Sequence, residues 1–239
     1  MPFGGGAEKL CAYLYMQTQD ASTEFLIKFW PWFEANRQRL IATMAVAAVI
    51  LFVWYFISTQ RVQKAVYAGQ AYTQLQLTIP PNSTAQQVAD AYQKIASQYP
   101  GTVAGQRAQL QAAVLLFGAG RYAEAQAIFQ QFLGANNGSS LSAAAQLGVG
   151  ASLEAQNQLE AAVTQYRVVV TSYGDSAEAL PAKFALARAL ETQGKVSEAT
   201  SYYQDVARSP LAGSLASEAA ERLALMQTAS AAAKPAVKS

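Results

Sequence analysis

The sequence predicts an all-α protein in which one transmembrane helix is followed by an α-solenoid of about three to four helical hairpins and a C-terminal capping helix. Three observations predict this fold. A run of 21 uncharged residues, 40–60, lies near the N-terminus. The chain after it repeats a pattern of turn-forming, small and aromatic residues every 37 residues. The composition is 52% hydrophobic, 13% charged and rich in alanine, which suits closely packed helices.

These patterns divide the chain into four segments. We expect an N-terminal segment at 1–30 that is partly flexible or interfacial, a transmembrane anchor at 31–60, a repeat domain at 61–227 and a flexible tail at 228–239. Within the first segment, Met1–Gly6 is predicted to be flexible, and the aromatic residues that follow share one helical face: Phe25, Phe29, Trp32 and Phe33. Such a face suits a helix lying along the membrane surface or a short helix packed against the anchor, and both interpretations stay open.

The apolar run Leu40–Ile57 predicts the anchor. The 21 residues between Arg39 and Arg61 span about 31 Å as a helix, which is the thickness of a bilayer's hydrocarbon core. Aromatic side chains flank both ends, as expected at the membrane interface. A cleaved signal peptide would begin nearer residue 1, and a core helix would rarely be apolar on all faces. We place Pro31 at the first turn of the helix, where its missing N–H costs nothing.

The basic residues that flank the anchor favour a cytoplasmic N-terminus. Lys28, Arg37 and Arg39 precede the apolar run, whereas Arg61 and Lys64 follow it. The N-terminal side therefore has one more basic residue, and the positive-inside rule favours it as the cytoplasmic side. The expected location is therefore the bacterial inner (cytoplasmic) membrane, single-pass, with the C-terminal domain in the periplasm. No proline or glycine interrupts 32–68, which predicts that the anchor helix continues into the first repeat.

Three turns with matching flanks establish the repeat. They begin at Gly120, Asn157 and Gly194, and each is followed by a small residue (Ala125, Ala162, Ala199), an aromatic residue (Phe129, Tyr166, Tyr203) and an apolar residue (Phe132, Val169, Val206). One period earlier the pattern continues weakly as Val88, Tyr92 and Ile95. A left-handed residue ends each first helix, alanine lets two helices approach closely, and the aromatic side chain fills the gap to the next hairpin. Residues 217–226 are predicted to form the capping helix.

The pattern of glycine, aromatic residue, Glu-Ala and a second aromatic residue resembles the tetratricopeptide repeat over about residues 65–226. The spacing of 37 residues exceeds the usual ~34, which implies longer links between hairpins. Stacked hairpins of this kind bury a shared core and present a surface for binding other proteins.

The sequence offers no arrangement for catalysis. It contains no histidine, and its one cysteine, Cys11, lies outside the repeats. Glu124, Glu160 and Glu198 fall at or beside equivalent turn positions, which favours a structural role. We therefore expect no enzyme activity, no metal, no cofactor and no small-molecule substrate. A net charge of +2 gives no basic surface for nucleic acid.

In tetratricopeptide proteins the first helices of successive repeats line a concave groove. The resemblance therefore points to a partner-binding groove formed by Arg107, Leu110, Val114, Phe117, Leu147, Ala151, Glu154, Phe184, Arg188 and Glu191. Core packing is an equally supported role for Leu110 and Val114, whereas Phe117 and Phe184 are expected to be exposed. An apolar groove suits a helix or an unfolded segment, and the lack of a basic clamp argues against capture of a C-terminal carboxylate.

Several features together resemble the YfgM-type ancillary subunit of the bacterial Sec translocon. They are Asn36-Arg37 before the span, Trp54-Tyr55 near its end, Gln60-Arg61 after it and a helix over 65–72 that leads into the repeats. The resemblance implies an anchored interaction module that assists protein export or folding. Its expected partners are translocon subunits, a periplasmic chaperone or unfolded clients, with one helix in contact with lipid.

Two other functions stay open at this point. The protein could serve as an envelope scaffold or adaptor for cell-wall or outer-membrane assembly. A reversed topology would instead make it a cytoplasm-facing adaptor.

Overall fold

A computed structural model describes the backbone of residues 6–136 and 138–233 and the side chains of residues 32, 34–136 and 138–228. The described residues form helices and connecting turns, without strands. The helices are α1 (Gly6–Thr78), α2 (Ala85–Gln98), α3 (Val103–Gly118), α4 (Tyr122–Ala135), α5 (Ser142–Ala155), α6 (Leu159–Ser172), α7 (Ala179–Thr192), α8 (Val196–Arg208) and α9 (Ser214–Ala233). The chain forms two compact units, residues 1–62 and 63–239.

In the first unit, α1 begins earlier than the sequence predicts. Residues 6–30 are helical, and Pro31 lies inside the helix rather than at its first turn. No proline or glycine lies between Gly6 and Pro31, so nothing local stops the helix there. Of the residues predicted to be flexible, Met1–Gly6, Gly6 is the first residue of α1, and residues 1–5 lie outside the described part of the chain. Phe25, Phe29 and Phe33 of the predicted aromatic face lie outside the described side chains.

One helix among the described side chains, spanning Glu34–Thr78, is long and apolar enough to cross a membrane, judged by length and composition. Its large apolar side chains from Ile41 to Ile57 are exposed, because the rest of the described protein does not cover them. The sequence-based expectation of a continuous helix is confirmed, because α1 runs without interruption to Thr78.

In the second unit, consecutive helices pack against each other as helical hairpins, in the order that the sequence predicts. The last part of α1 pairs with α2, and the rings of Tyr72 and Tyr92 lie 5.5 Å apart. The pairs α3–α4, α5–α6 and α7–α8 form the three clear repeats, and α9 packs on α8. In the first hairpin, Tyr92 and Ile95 are buried at the positions that the spacing predicts, but the fully buried small residue is Ala89, one position after Val88.

The capping helix is longer than predicted. It spans Ser214–Ala233 instead of 217–226, so residues 228–233, predicted to be tail, continue the helix. Their alanine content explains the extension, since alanine has the highest helix propensity. Residues 234–239 lie outside the described part of the chain.

The repeated positions form the core as the spacing predicts. The small, aromatic and apolar residues at the repeated positions of the three clear repeats are all buried, from Ala125 to Val206. The turn residues Gly120, Asn157 and Gly194 have φ angles of 77°, 61° and 75°. Each turn closes with two backbone hydrogen bonds; at the first, Arg121 N donates to Leu116 O and Gly120 N to Phe117 O. These paired bonds satisfy carbonyls that the end of a helix would otherwise leave free.

Candidate protein-binding groove

An apolar groove of about 240 Å³ opens between α3 and α5 in the second unit. Its lining residues are Leu110, Val114, Phe117, Phe129, Ala144, Leu147, Gly148, Ala151 and Glu178. All but Glu178 are apolar or glycine, so the groove can bury hydrocarbon groups of a partner but offers few hydrogen bonds.

The floor of the groove is formed by the ring of Phe129 lying on the backbone of Gly148. A Cβ atom at Gly148 would come within 2.5 Å of Phe129 Cζ, so glycine is what permits this contact. At one side, Phe117 packs against Tyr122 edge-on, with ring centroids 5.2 Å apart. These contacts hold the aromatic side chains in place before any partner binds, which lowers the entropy cost of binding.

The same positions in the later repeats carry a polar pair. The hydroxyl of Tyr166 donates to Glu154 Oε2 at 2.7 Å, and the hydroxyl of Tyr203 donates to Glu191 Oε2 at 2.8 Å. One period earlier, the equivalents of Glu154 and Tyr166 are Phe117 and Phe129. The contact between the two helices of a hairpin therefore changes along the repeats, from apolar in α3–α4 to hydrogen-bonded in α5–α6 and α7–α8.

An ion pair joins the second and third repeats beside the groove. The guanidinium of Arg188 lies 2.9 Å from Glu154 Oε1. Burial lowers the pKa of Arg188, but the hydrogen bond and charge of Glu154, together with Tyr166 and Tyr203, raise it above its ordinary value. Burial, together with the hydrogen bond to Glu154, raises the pKa of Tyr166, and the same causes acting with Glu191 raise that of Tyr203. Both tyrosines therefore stay protonated donors at neutral pH.

Five of the ten predicted groove residues lie together in the groove: Leu110, Val114, Phe117, Leu147 and Ala151. Glu154 and Arg188 form an ion pair beside it, Glu191 accepts a hydrogen bond from Tyr203 in the α7–α8 hairpin, and Arg107 is exposed outside the lining. The expectation that Phe184 is exposed is wrong, because its ring packs edge-on against Tyr203 at 5.5 Å and is only 7% exposed.

Four residues that line the groove were not predicted from the sequence to do so: Phe129, Ala144, Gly148 and Glu178. Phe129 was assigned to the core, where it is indeed buried, but one edge of its ring also reaches the groove. The 37-residue spacing carried a signal for Gly148, since the equivalent positions hold Gln111 and Ala185. A glycine inside a helix at a position where the other repeats have larger residues indicates a close approach by another side chain.

The groove presents one ionisable side chain, that of Glu178, among apolar residues and glycine. Within residues 34–136 and 138–228, no three His, Cys, Asp or Glu side chains are grouped so that they could hold a metal ion. What the site offers is shape, apolar surface and a charged margin, which are the properties of a protein-binding surface.

Comparison with known proteins agrees with this architecture. The model of the tetratricopeptide repeat-like domain family matches residues 31–170, more than half of the chain. The chain belongs to this family. Tetratricopeptide-like hairpins stack into extended concave surfaces that bind other proteins, and the protein is an interaction module of this type. No curated protein sequence matches the chain.

Three solved structures are similar to this tetratricopeptide-like chain. MamA from Desulfovibrio magneticus RS-1 has a TM-score of 0.51 at 15% identity, covering 70% of this chain and 85% of that one. PcrH in complex with the chaperone binding region of PopB has a TM-score of 0.45 at 20% identity, covering 51% and 97%. A type III secretion complex (T3SS) from Aeromonas hydrophila has a TM-score of 0.47 at 20% identity, covering 62% and 91%. The similarity to MamA concerns the fold alone.

Proposed function

We propose that this protein is a membrane-anchored interaction module whose exported repeat domain binds protein segments in the groove, beside the Sec translocon. The observation that carries this proposal is the groove itself. Five residues that the tetratricopeptide resemblance assigned to partner binding line one apolar space, and Val114 within it is 52% exposed. An exposed apolar concavity of this kind is the usual place for a partner to bind.

The N-terminal helix supports the anchoring part of the proposal. The exposed apolar side chains between Ile41 and Ile57 would be costly in water and favourable in lipid. We assign residues 31–60 to the anchor, 61–227 to the exported repeat domain and 228–239 to a C-terminal extension. The flanking basic residues favour a cytoplasmic N-terminus, which puts the repeats in the periplasm.

The features shared with the YfgM-type subunits support a place beside the translocon. An anchor in the same membrane as the export channel raises the effective concentration of the groove near emerging chains, without requiring high affinity. Translocon subunits, a periplasmic chaperone and unfolded clients are the partners that fit this location.

Co-purification after mild crosslinking in cells tests the proposal. Wild type is compared with Val114→Gln, which places an amide in the groove, and with Val196→Gln as a matched control, because Val196 is 49% exposed outside the groove. A polar amide facing a bound apolar segment loses about 1–2 kcal/mol, which is roughly a tenfold weaker interaction. We expect translocon subunits and clients with wild type and Val196→Gln, and about tenfold less client with Val114→Gln.

Two results would contradict the proposal. Recovery of no translocon component with wild type refutes the location beside the channel. Equal client recovery with both variants refutes the groove as the binding surface. A fixed set of cell-wall or outer-membrane assembly proteins in place of varied clients would instead favour the scaffold function.

A further inference from the structure

One carboxylate lies in the wall of the otherwise apolar groove. Glu178 lines it together with Leu147 and Ala151, and its side chain is half-buried. Its carboxylate forms no hydrogen bond or ion pair with any side chain or backbone group in the described part of the chain. By contrast, Glu124, Glu154 and Glu198 each pair with an arginine.

Glu178 also breaks the repeat. The residues 37 positions before and after it are Leu141 and Leu215, and both leucines are half-buried and pack against the hydrophobic core. The backbone at the two preceding turns is alike, with φ −92° and ψ 0° at Leu141 and φ −79° and ψ −12° at Glu178. The fold therefore accepts leucine at this place, and the charge of Glu178 is not needed to form the turn.

Local structure does not account for the charge. Glu178 immediately precedes α7, but its side chain does not cap the helix. The attraction between a carboxylate and the N-terminus of a helix contributes about 0.3–1 kcal/mol. That attraction would be equally available at Leu141, which precedes α5, so it does not explain why one repeat has a carboxylate and the other a leucine. A charged group beside apolar surface is unfavourable until a group of opposite charge pairs with it.

We propose that the groove selects segments in which a lysine or arginine lies beside a large apolar residue. The apolar side chain enters between α3 and α5, against Leu110, Val114 and Leu147, while the cation pairs with Glu178. Apolar walls lower the local dielectric constant, so this ion pair is stronger than one at an open surface and rejects acidic segments. The inference rests on the proposed function of the groove and adds the chemistry of what it accepts.

Selection from a random peptide library displayed on phage tests this specificity. The bait is the full chain in nanodiscs of phosphatidylcholine, a lipid without net charge, so that the bilayer does not attract basic peptides. Wild type is compared with Glu178→Gln, which keeps the shape and removes the charge. The matched control is Glu160→Gln, since Glu160 is exposed outside the groove and has no side-chain partner either. Val114→Gln identifies peptides that bind elsewhere, and circular dichroism checks that each variant is folded.

We expect peptides selected by wild type and by Glu160→Gln to be enriched in lysine or arginine next to leucine, phenylalanine or another large apolar residue. Glu178→Gln should lose the basic enrichment and keep the apolar one. Individual selected peptides should bind Glu178→Gln about tenfold more weakly than wild type, as expected for the loss of one charge-assisted contact.

Equal affinity of the selected peptides for wild type and Glu178→Gln would overturn this inference and leave the groove function standing. Enrichment of acidic or uncharged peptides by wild type would overturn it as well. Failure of wild type to enrich any peptide beyond Val114→Gln would refute the groove function and this inference with it.

Discussion

At the scale of single residues, the hydrogen bonds between tyrosine and glutamate tie the second helix of a repeat to the first. Tyr166 and Tyr203 are almost completely buried, and each donates its hydroxyl to a glutamate 12 residues earlier. Phe184, which the sequence analysis expects at the surface, packs against the ring of Tyr203, the donor to Glu191. Because the Phe184 ring on α7 reaches α8 of the same hairpin, it is part of the core.

These two tyrosines should make the repeat domain sensitive to alkali. Burial, followed by the nearby glutamate, raises the pKa of each hydroxyl above its value of about 10 in the unfolded chain. A raised pKa in the folded state means that the contribution to stability is fully present below pH 10 and is lost as the pH rises toward the folded pKa. The free energy of unfolding should therefore fall above pH 10, by at most about 1.4 kcal/mol per pH unit for each tyrosine.

Urea unfolding of the full chain in detergent, followed by circular dichroism between pH 8 and 12, measures this decline. The Tyr166→Phe/Tyr203→Phe variant is the comparison. It should be less stable than wild type at pH 8, because Glu154 and Glu191 lose a donor, but its stability should decline less above pH 10. Parallel declines in the two proteins would show that other groups cause the alkaline sensitivity.

At the scale of helices and turns, the close contact between α4 and α5 depends on a missing side chain. Gly148→Ala would improve the intrinsic helix propensity of α5 by about 0.5–1 kcal/mol. The added Cβ, however, would lie 2.5 Å from the Phe129 ring, which must then move. We expect a net loss of about 1–3 kcal/mol in the free energy of unfolding and a narrower groove.

Gly134→Ala is the matched control for this change. Gly134 lies in the last turn of α4, with no atom within 4 Å of where a Cβ would be placed and without a positive φ angle. Its replacement should leave stability unchanged or raise it by up to about 1 kcal/mol. Urea unfolding of both variants decides the question, and a Gly148→Ala protein as stable as Gly134→Ala would contradict the packing described here.

The helical hairpins and their turns could be predicted from the sequence because the same residue types recur at the same positions in three repeats. Gly120, Asn157 and Gly194 share the left-handed backbone that their residue types favour. The ends of the solenoid were harder to predict. In the first hairpin the buried alanine is shifted by one residue, and α9 continues through an alanine-rich segment that resembles a tail in composition.

The groove could be predicted only in part, because some of its residues depart from the pattern that the repeats share. Spacing places Leu110, Val114, Phe117 and Leu147 on first helices, and the structure shows that they share one apolar space. The contribution of Phe129 depends on the absence of a side chain at Gly148, which periodicity alone does not reveal. Glu178 differs from its counterparts in the other repeats, so a search for what the repeats share passes over it.

At the scale of the whole molecule, the chain joins two units with different solvent preferences. The first contains a helix that could cross a membrane, and the second is a tetratricopeptide-like domain with its own core. The proposed function requires that the second unit lies on the exported side. The basic residues that flank the anchor favour this side, with three before the apolar run and two after it.

Cysteine labelling from outside the cell tests the central claim, an exported interaction domain held by a membrane anchor. After Cys11→Ser, the Leu211→Cys variant carries a thiol at a residue that is 86% exposed, and Ala219→Cys is the control at a fully buried residue. The outer membrane is opened and a maleimide that cannot cross the inner membrane is added. We predict labelling of Leu211→Cys in cells with an intact inner membrane, and of Ala219→Cys only after denaturation. Labelling of Leu211→Cys only after the inner membrane is opened would contradict the account.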